Sequence, residues 1–292
     1  RISLEQGALG QNEASLANLE EAGRFALTQP DPLFRLLVMK DISISYFYMN
    51  RLEKSVEILR QGLQISEGDA STPVMRSNLL RQQAFFLRRL NRLQEAEDHC
   101  RAAWALILET APESLMAAWI SFNRGSILSE RGYPAPAEEN FRRALAIRER
   151  LCPGQAEVAE CLDSLGYVLR AQGRLEEAES FHRRALSMWD KLKPERLQAA
   201  NTLNNLGILV RERGRPDEAE TLHRRALEIL ARAAPGSLTE ADCRISLGLI
   251  CLDRGQWEEA EGYFRQALTI QGKEAPGSLP MSASLNNLGV VE

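Results

Sequence analysis

"LNNLGILVRERGRPDEAETLHRRALEI", residues 203–229, decides the fold. Leu203, Leu206, Ile208 and Val210 recur at helical spacing, and so do Leu222, Ala226, Leu227 and Ile229. Between the two runs stands Gly214-Arg215, and glycine can take the positive φ that a helix stop requires. The stretch therefore reads as two helices joined by a tight turn. Its neighbour 41 residues upstream, "LDSLGYVLRAQGRLEEAESFHRRALSM" from 162, has the same layout.

The period runs through the chain. Turn residues fall at Asn50, Asn91, Gly132, Gly173, Gly214 and Gly255, and a small residue precedes each by seven: Ser43, Ala84, Gly125, Gly166, Gly207 and Gly248. Proline recurs at 112, 153, 194, 235 and 276, where each unit ends. The units are 32–72, 73–113, 114–154, 155–195, 196–236 and 237–277, with a fragment at 1–31 and another at 278–292. In the first fragment Gly10 reads as a turn one residue out of register. No β-rich alternation interrupts the pattern, so the fold class is all-α.

The motif small-(x)6-G-R-x-x-E-A, followed by A-L, resembles the tetratricopeptide repeat. Gly166, Gly173, Ala178 and Ala185 match its small positions in one unit, and Gly207, Gly214, Ala219 and Ala226 in the next. The usual period is about 34 residues. The longer form, with "LNNLG" and "RRALxI", is similar to the kinesin light chain type. The resemblance implies an α-solenoid of about seven stacked antiparallel hairpins wound as a right-handed superhelix, with first helices on the concave side. Such an array needs capping units. The chain begins at Arg1 and stops within a unit at both ends, which reads as an excerpt of a larger protein.

The 292 residues are 44% hydrophobic and 26% charged with net charge −4, as expected of a folded domain and not of a nucleic-acid binder. No apolar run approaches a membrane span. Five cysteines with no C-x-x-C argue against disulfides or zinc and for a reducing, cytoplasmic setting. The cysteines read as buried apolar fillers, with Cys152 the one expected to be accessible. Only five of the 36 basic residues are lysine, a bias that points to a bacterial source.

Catalytic and metal-ligating residues are expected to be absent, and no cofactor is implied. No nucleotide-binding, hydrolase or metalloprotease motif occurs. His182 and His223 share a slot with Leu59, Cys100, Phe141 and Phe264, so they read as packing residues. The arginines Arg142, Arg183 and Arg224 each follow a glutamate by four (Glu138, Glu179, Glu220), as do Arg101 (Glu97) and Arg265 (Glu261). These pairs read as a solvated helix surface.

The candidate binding surface is the other helix of each unit. Its facing positions lie six, three and two before the small residue, then one, four and five after it. They supply basic spots at Arg81, Arg88, Arg170 and Arg211, amide pairs at Asn123, Asn204 and Asn205, and apolar anchors at Phe85, Trp119 and Tyr167. Mixed recognition of a peptide or protein partner follows. The primary expectation is a non-catalytic protein-interaction scaffold. The alternative, implied by the resemblance, is the regulatory or sensor arm of a bacterial multidomain effector, a caspase-like CHAT protease or signalling NTPase with a role in phage defence. The groove would then meet other domains of the same polypeptide.

Overall fold

The computed structural model describes residues 16–65, 73–192 and 196–291. The predicted turn at Gly10 and the proline at 194 lie outside them. A first helix, α1, covers 16–28. It is followed by α2 (Pro32–Tyr48), α3 (Leu52–Ile65), α4 (Pro73–Arg89), α5 (Leu93–Leu108), α6 (Leu115–Glu130) and α7 (Pro134–Leu151). Then come α8 (Ala156–Ala171), α9 (Leu175–Leu192), α10 (Leu197–Glu212), α11 (Pro216–Ala233), α12 (Leu238–Asp253), α13 (Trp257–Glu274) and α14 (Leu279–Val291). There is no strand among the described residues. The fold is an α-solenoid of antiparallel hairpins. The chain divides into two compact units, Arg1–Ile147 and Arg148–Glu292.

The first helices α2, α4, α6, α8, α10 and α12 end in the same backbone device. Gly214 sits at φ +77°, and Arg215 N–H, one residue on, bonds back to the Val210 carbonyl at 3.0 Å. This six-to-one bond satisfies a carbonyl that the helix end would otherwise leave bare. Asn50 and Asn91 hold the same conformation at φ 57° and 59°, which asparagine tolerates better than other side-chain-bearing residues. A second series accompanies the recurring prolines. Gly154, Gly236 and Gly277 also take positive φ, in the connections that lead into the next first helix.

The hairpin is closed by a ring set on a glycine. A Cβ built on Gly166 would fall 2.6 Å from the His182 ring, and one on Gly207 would fall 2.7 Å from His223. Gly125 with Phe141 (2.8 Å) and Gly248 with Phe264 (2.6 Å) repeat the contact. The opposite slot is matched to this. Where the small residue is Ser43 or Ala84 and carries a Cβ, the slot holds Leu59 or Cys100, not a ring. Volume is thus conserved pairwise across the hairpin.

Both histidines are fully buried, as packing residues would be. They differ in polar environment. His182 Nδ1 lies 2.8 Å from Asp163 Oδ1. Neither ring nitrogen of His223 has a partner. Burial, helped by the nearby Arg211 charge, pushes the His223 pKa down to about 4, so its ring is neutral. Three cysteines behave as apolar fillers too: burial raises the thiols of Cys100 and Cys243 to about 12 and that of Cys161 to about 11. Cys152 is the half-exposed one.

Carboxylates join consecutive hairpins. The i,i+4 pairs form at Glu138–Arg142, Glu179–Arg183, Glu220–Arg224 and Glu261–Arg265. Glu97 corrects the expectation. It turns to Arg124 and Arg131 of the following hairpin, while Arg101 pairs with Asp98. The glutamates are also less solvated than a surface reading implies. Glu97 and Glu179 are buried, because each reaches the arginine just before the next turn, 34 residues on. Glu220 does the same to Arg254 at 2.6 Å. Glu179 also receives Arg215. Burial would raise its pKa, but hydrogen bonds from Arg215, Arg183 and Arg213 outweigh that and hold it at about 2.

Three outcomes follow from these contacts. Gly207→Ala should cost about 1–3 kcal/mol in a urea melt followed by circular dichroism. Adding His223→Cys should recover part of the loss, whereas Gly262→Ala, whose Cβ meets nothing within 4 Å, should be harmless. A histidine pKa lower in the folded state means the unfolded chain binds more protons between pH about 6.5 and 4. Stability should therefore fall across that window as pH drops, and His223→Phe should flatten the fall; an unchanged slope would count against the buried neutral ring. Glu179→Gln should lower the melting temperature at neutral pH, and its contribution should disappear from the wild type as pH falls from about 4.5 towards 2. Glu139→Gln, at a carboxylate 72% exposed in its pair with Arg143, should change little.

Candidate functional site

The first helices of the N-terminal unit, α2, α4 and α6, enclose a recess of about 470 Å³. The facing positions inferred from the repeat put Asn78, Arg81, Gln82, Phe85 and Arg88 of α4 on its wall. Lys40, Ile44, Phe47 and Tyr48 of α2 and Trp119, Phe122 and Asn123 of α6 lie there by the same rule. Five of the ten candidate residues, Arg81, Phe85, Arg88, Trp119 and Asn123, are thus brought together. The wall also holds Phe86, which the rule did not include.

The recess is aromatic. Phe47 stacks on Phe86 at 5.5 Å and meets Phe85 edge-on at 5.7 Å and Tyr48 at 5.6 Å. Trp119 is 37% exposed, and the Arg81 guanidinium lies over its ring, 5.8 Å from the centroid. Arg81 Nη2 also donates to Asn78 Oδ1 at 3.0 Å. Burial lowers its pKa below the ordinary arginine value.

In the second unit the face is built differently. Tyr167 is half exposed, an available apolar anchor. Asn205 Nδ2 donates to Asp163 Oδ2 at 3.2 Å, so Asp163 links α8 to both α9 and α10. Asn204 is buried, and its Oδ1 accepts from the Cys243 thiol at 3.3 Å.

Two expectations need correcting. Asn123 and Asn204 do not present open amide edges; each is only 6% exposed, and Asn204 faces Cys243 of the next first helix. The basic spots are largely neutralised. Arg88 pairs with Glu130 at 2.8 Å, Arg170 with both Glu212 oxygens, and Arg211 with Asp253 at 3.5 Å. The carboxylate in each case comes from the next first helix, 42 residues on. A search at the period plus one would have revealed these partners. No cluster of three His, Cys, Asp or Glu side chains able to hold a metal occurs among the described residues. No helix among them is long and apolar enough to cross a membrane.

The chain was compared with known proteins. No curated protein matches it. Among solved structures, BtubC (BKLC) from P. vanneervenii is 25% identical, with TM-score 0.65, covering 77% of this chain and 91% of that one. A putative kinesin light chain from Podosopora anserina with nearly identical TPR-like repeats is 18% identical, with TM-score 0.60 over 71% of this chain and all of that one. The apo form of RapI is 12% identical, with TM-score 0.68 over 88% and 96% of the two chains. A family model for the tetratricopeptide repeat matches residues 75–150, 157–232 and 213–273. With the model covering more than half its length and the hairpins repeating as described, the chain belongs to the tetratricopeptide repeat family.

Proposed function

We propose that the chain is a non-catalytic interaction scaffold whose first-helix face docks a peptide or protein segment. The observation that carries this reading is the aromatic recess between α2, α4 and α6. A chain with only 6% aromatic residues gathers Phe47, Tyr48, Phe85, Phe86, Trp119 and Phe122 in one cavity. Aromatic rings beside an arginine are the composition of interface hot spots. The rings are held on rigid helices, which lowers the ordering cost of binding.

The paired arginines fit the same reading in a limited way. Arg88, Arg170 and Arg211 already have carboxylates, so a partner would compete with an existing ion pair to engage them. Affinity would rest on the rings, and the charges would set register and selectivity.

A phage-displayed random peptide library panned against the full chain should yield binders. Trp119→Ala with Tyr48→Ala should reduce their capture by roughly thirtyfold with helicity unchanged. A library that enriches no sequence, or binders indifferent to both substitutions, would remove the support for this face.

A further inference from the structure

Arg81 is the unusual charge of the recess. Lys40 is paired with Asp41 and Arg88 with Glu130. Arg81 meets only the neutral Asn78 oxygen and the Trp119 ring, and burial works against its charge. Among the described residues no carboxylate lines the cavity. Asn123, 6% exposed and lining the same recess, has an Nδ2 with no acceptor among the described residues, and Arg81 Nε has none either. Buried donors are costly to leave without acceptors. They mark a place where an acceptor is missing.

We infer that this recess binds a small aromatic carboxylate, its carboxyl against Arg81 and Asn123 and its ring among the aromatic side chains. Three features select that class. The unmet groups are donors, which suits an acceptor-only carboxylate. The walls are aromatic, which suits a flat apolar body. The volume of about 470 Å³ lies in the range of small-molecule pockets, and the recess is contained within three neighbouring first helices. A peptide main chain would bring N–H groups of its own that need acceptors, and the orphaned polar atoms of Arg81 and Asn123 supply only donors. The inference shares the face proposed for partner docking but does not depend on it.

Calorimetric titration of the full chain with naphthylacetate and with its neutral isostere, naphthylacetamide, tests it. The acid should bind one-to-one and at least about tenfold more tightly than the amide, the return on one charge-assisted contact. Arg81→Gln should erase that preference, and Trp119→Leu should weaken both ligands. The acid–amide comparison on the unmodified chain stands even if the Arg81 variant folds poorly. Equal affinities, no binding at millimolar acid, or a preference that survives Arg81→Gln in a folded variant would overturn the inference. So would a peptide with adjacent aspartate and tryptophan that binds while naphthylacetate does not, an outcome that would leave the docking reading intact.

Discussion

A ring pressed onto a glycine holds each of four hairpins together. The contact needs no Cβ on the first helix and a flat side chain on the second. It fixes their separation at that point, and the buried faces on either side follow from that distance. Leu203, Ala226, Ile229 and Leu230 then form one continuous core with Trp189 and Cys243 of the neighbouring helices. The indole N–H of Trp189 is satisfied by Thr202 at 3.2 Å, so even the largest core side chain carries no orphaned polar atom into that cluster. His223, in contrast, is a neutral imidazole with neither ring nitrogen partnered, used for its shape alone.

The electrostatics are organised on the opposite principle. Packing between the two helices of a hairpin is mainly apolar, with Asp163–His182 a polar contact across one of them, whereas consecutive hairpins are also joined by carboxylate–arginine pairs. Reaching from the second helices to the end of the next first helix, these are Glu97–Arg131, Glu179–Arg213 and Glu220–Arg254. On the first helices they are Arg88–Glu130, Arg170–Glu212 and Arg211–Asp253. The first helices of the N-terminal unit break this pattern at Arg81, and that break singles out the aromatic recess from the rest of the face.

Much of the fold was legible in the sequence because packing residues repeat and a repeat announces its own period. The turn at Gly214 and the slot filled by His223 could be read before any coordinates. So could the wall of the recess, which the facing positions around Ser43, Ala84 and Gly125 describe almost completely. What escaped were relationships between units. Glu97 carries the spacing of an i,i+4 pair yet bonds forward, because Arg131 offers it a partner within the packed interface and Asp98 stands ready for Arg101. Asn123 and Asn204 have a groove-facing spacing, but both are buried, Asn204 facing Cys243 of the next first helix. A one-unit reading cannot see a residue that belongs to the junction.

That division bears on how such an array can change its length. The ring and its glycine lie inside one unit and travel together when the unit is copied, moved or lost. The arginine–carboxylate pairs straddle two units, so each new junction must be rematched. Ser129 and Ala171, which occupy the arginine and carboxylate positions at one step, carry no charge at all. A duplicated hairpin would fold on arrival, and its charges at the seam would record, substitution by substitution, which neighbour it had come to accept.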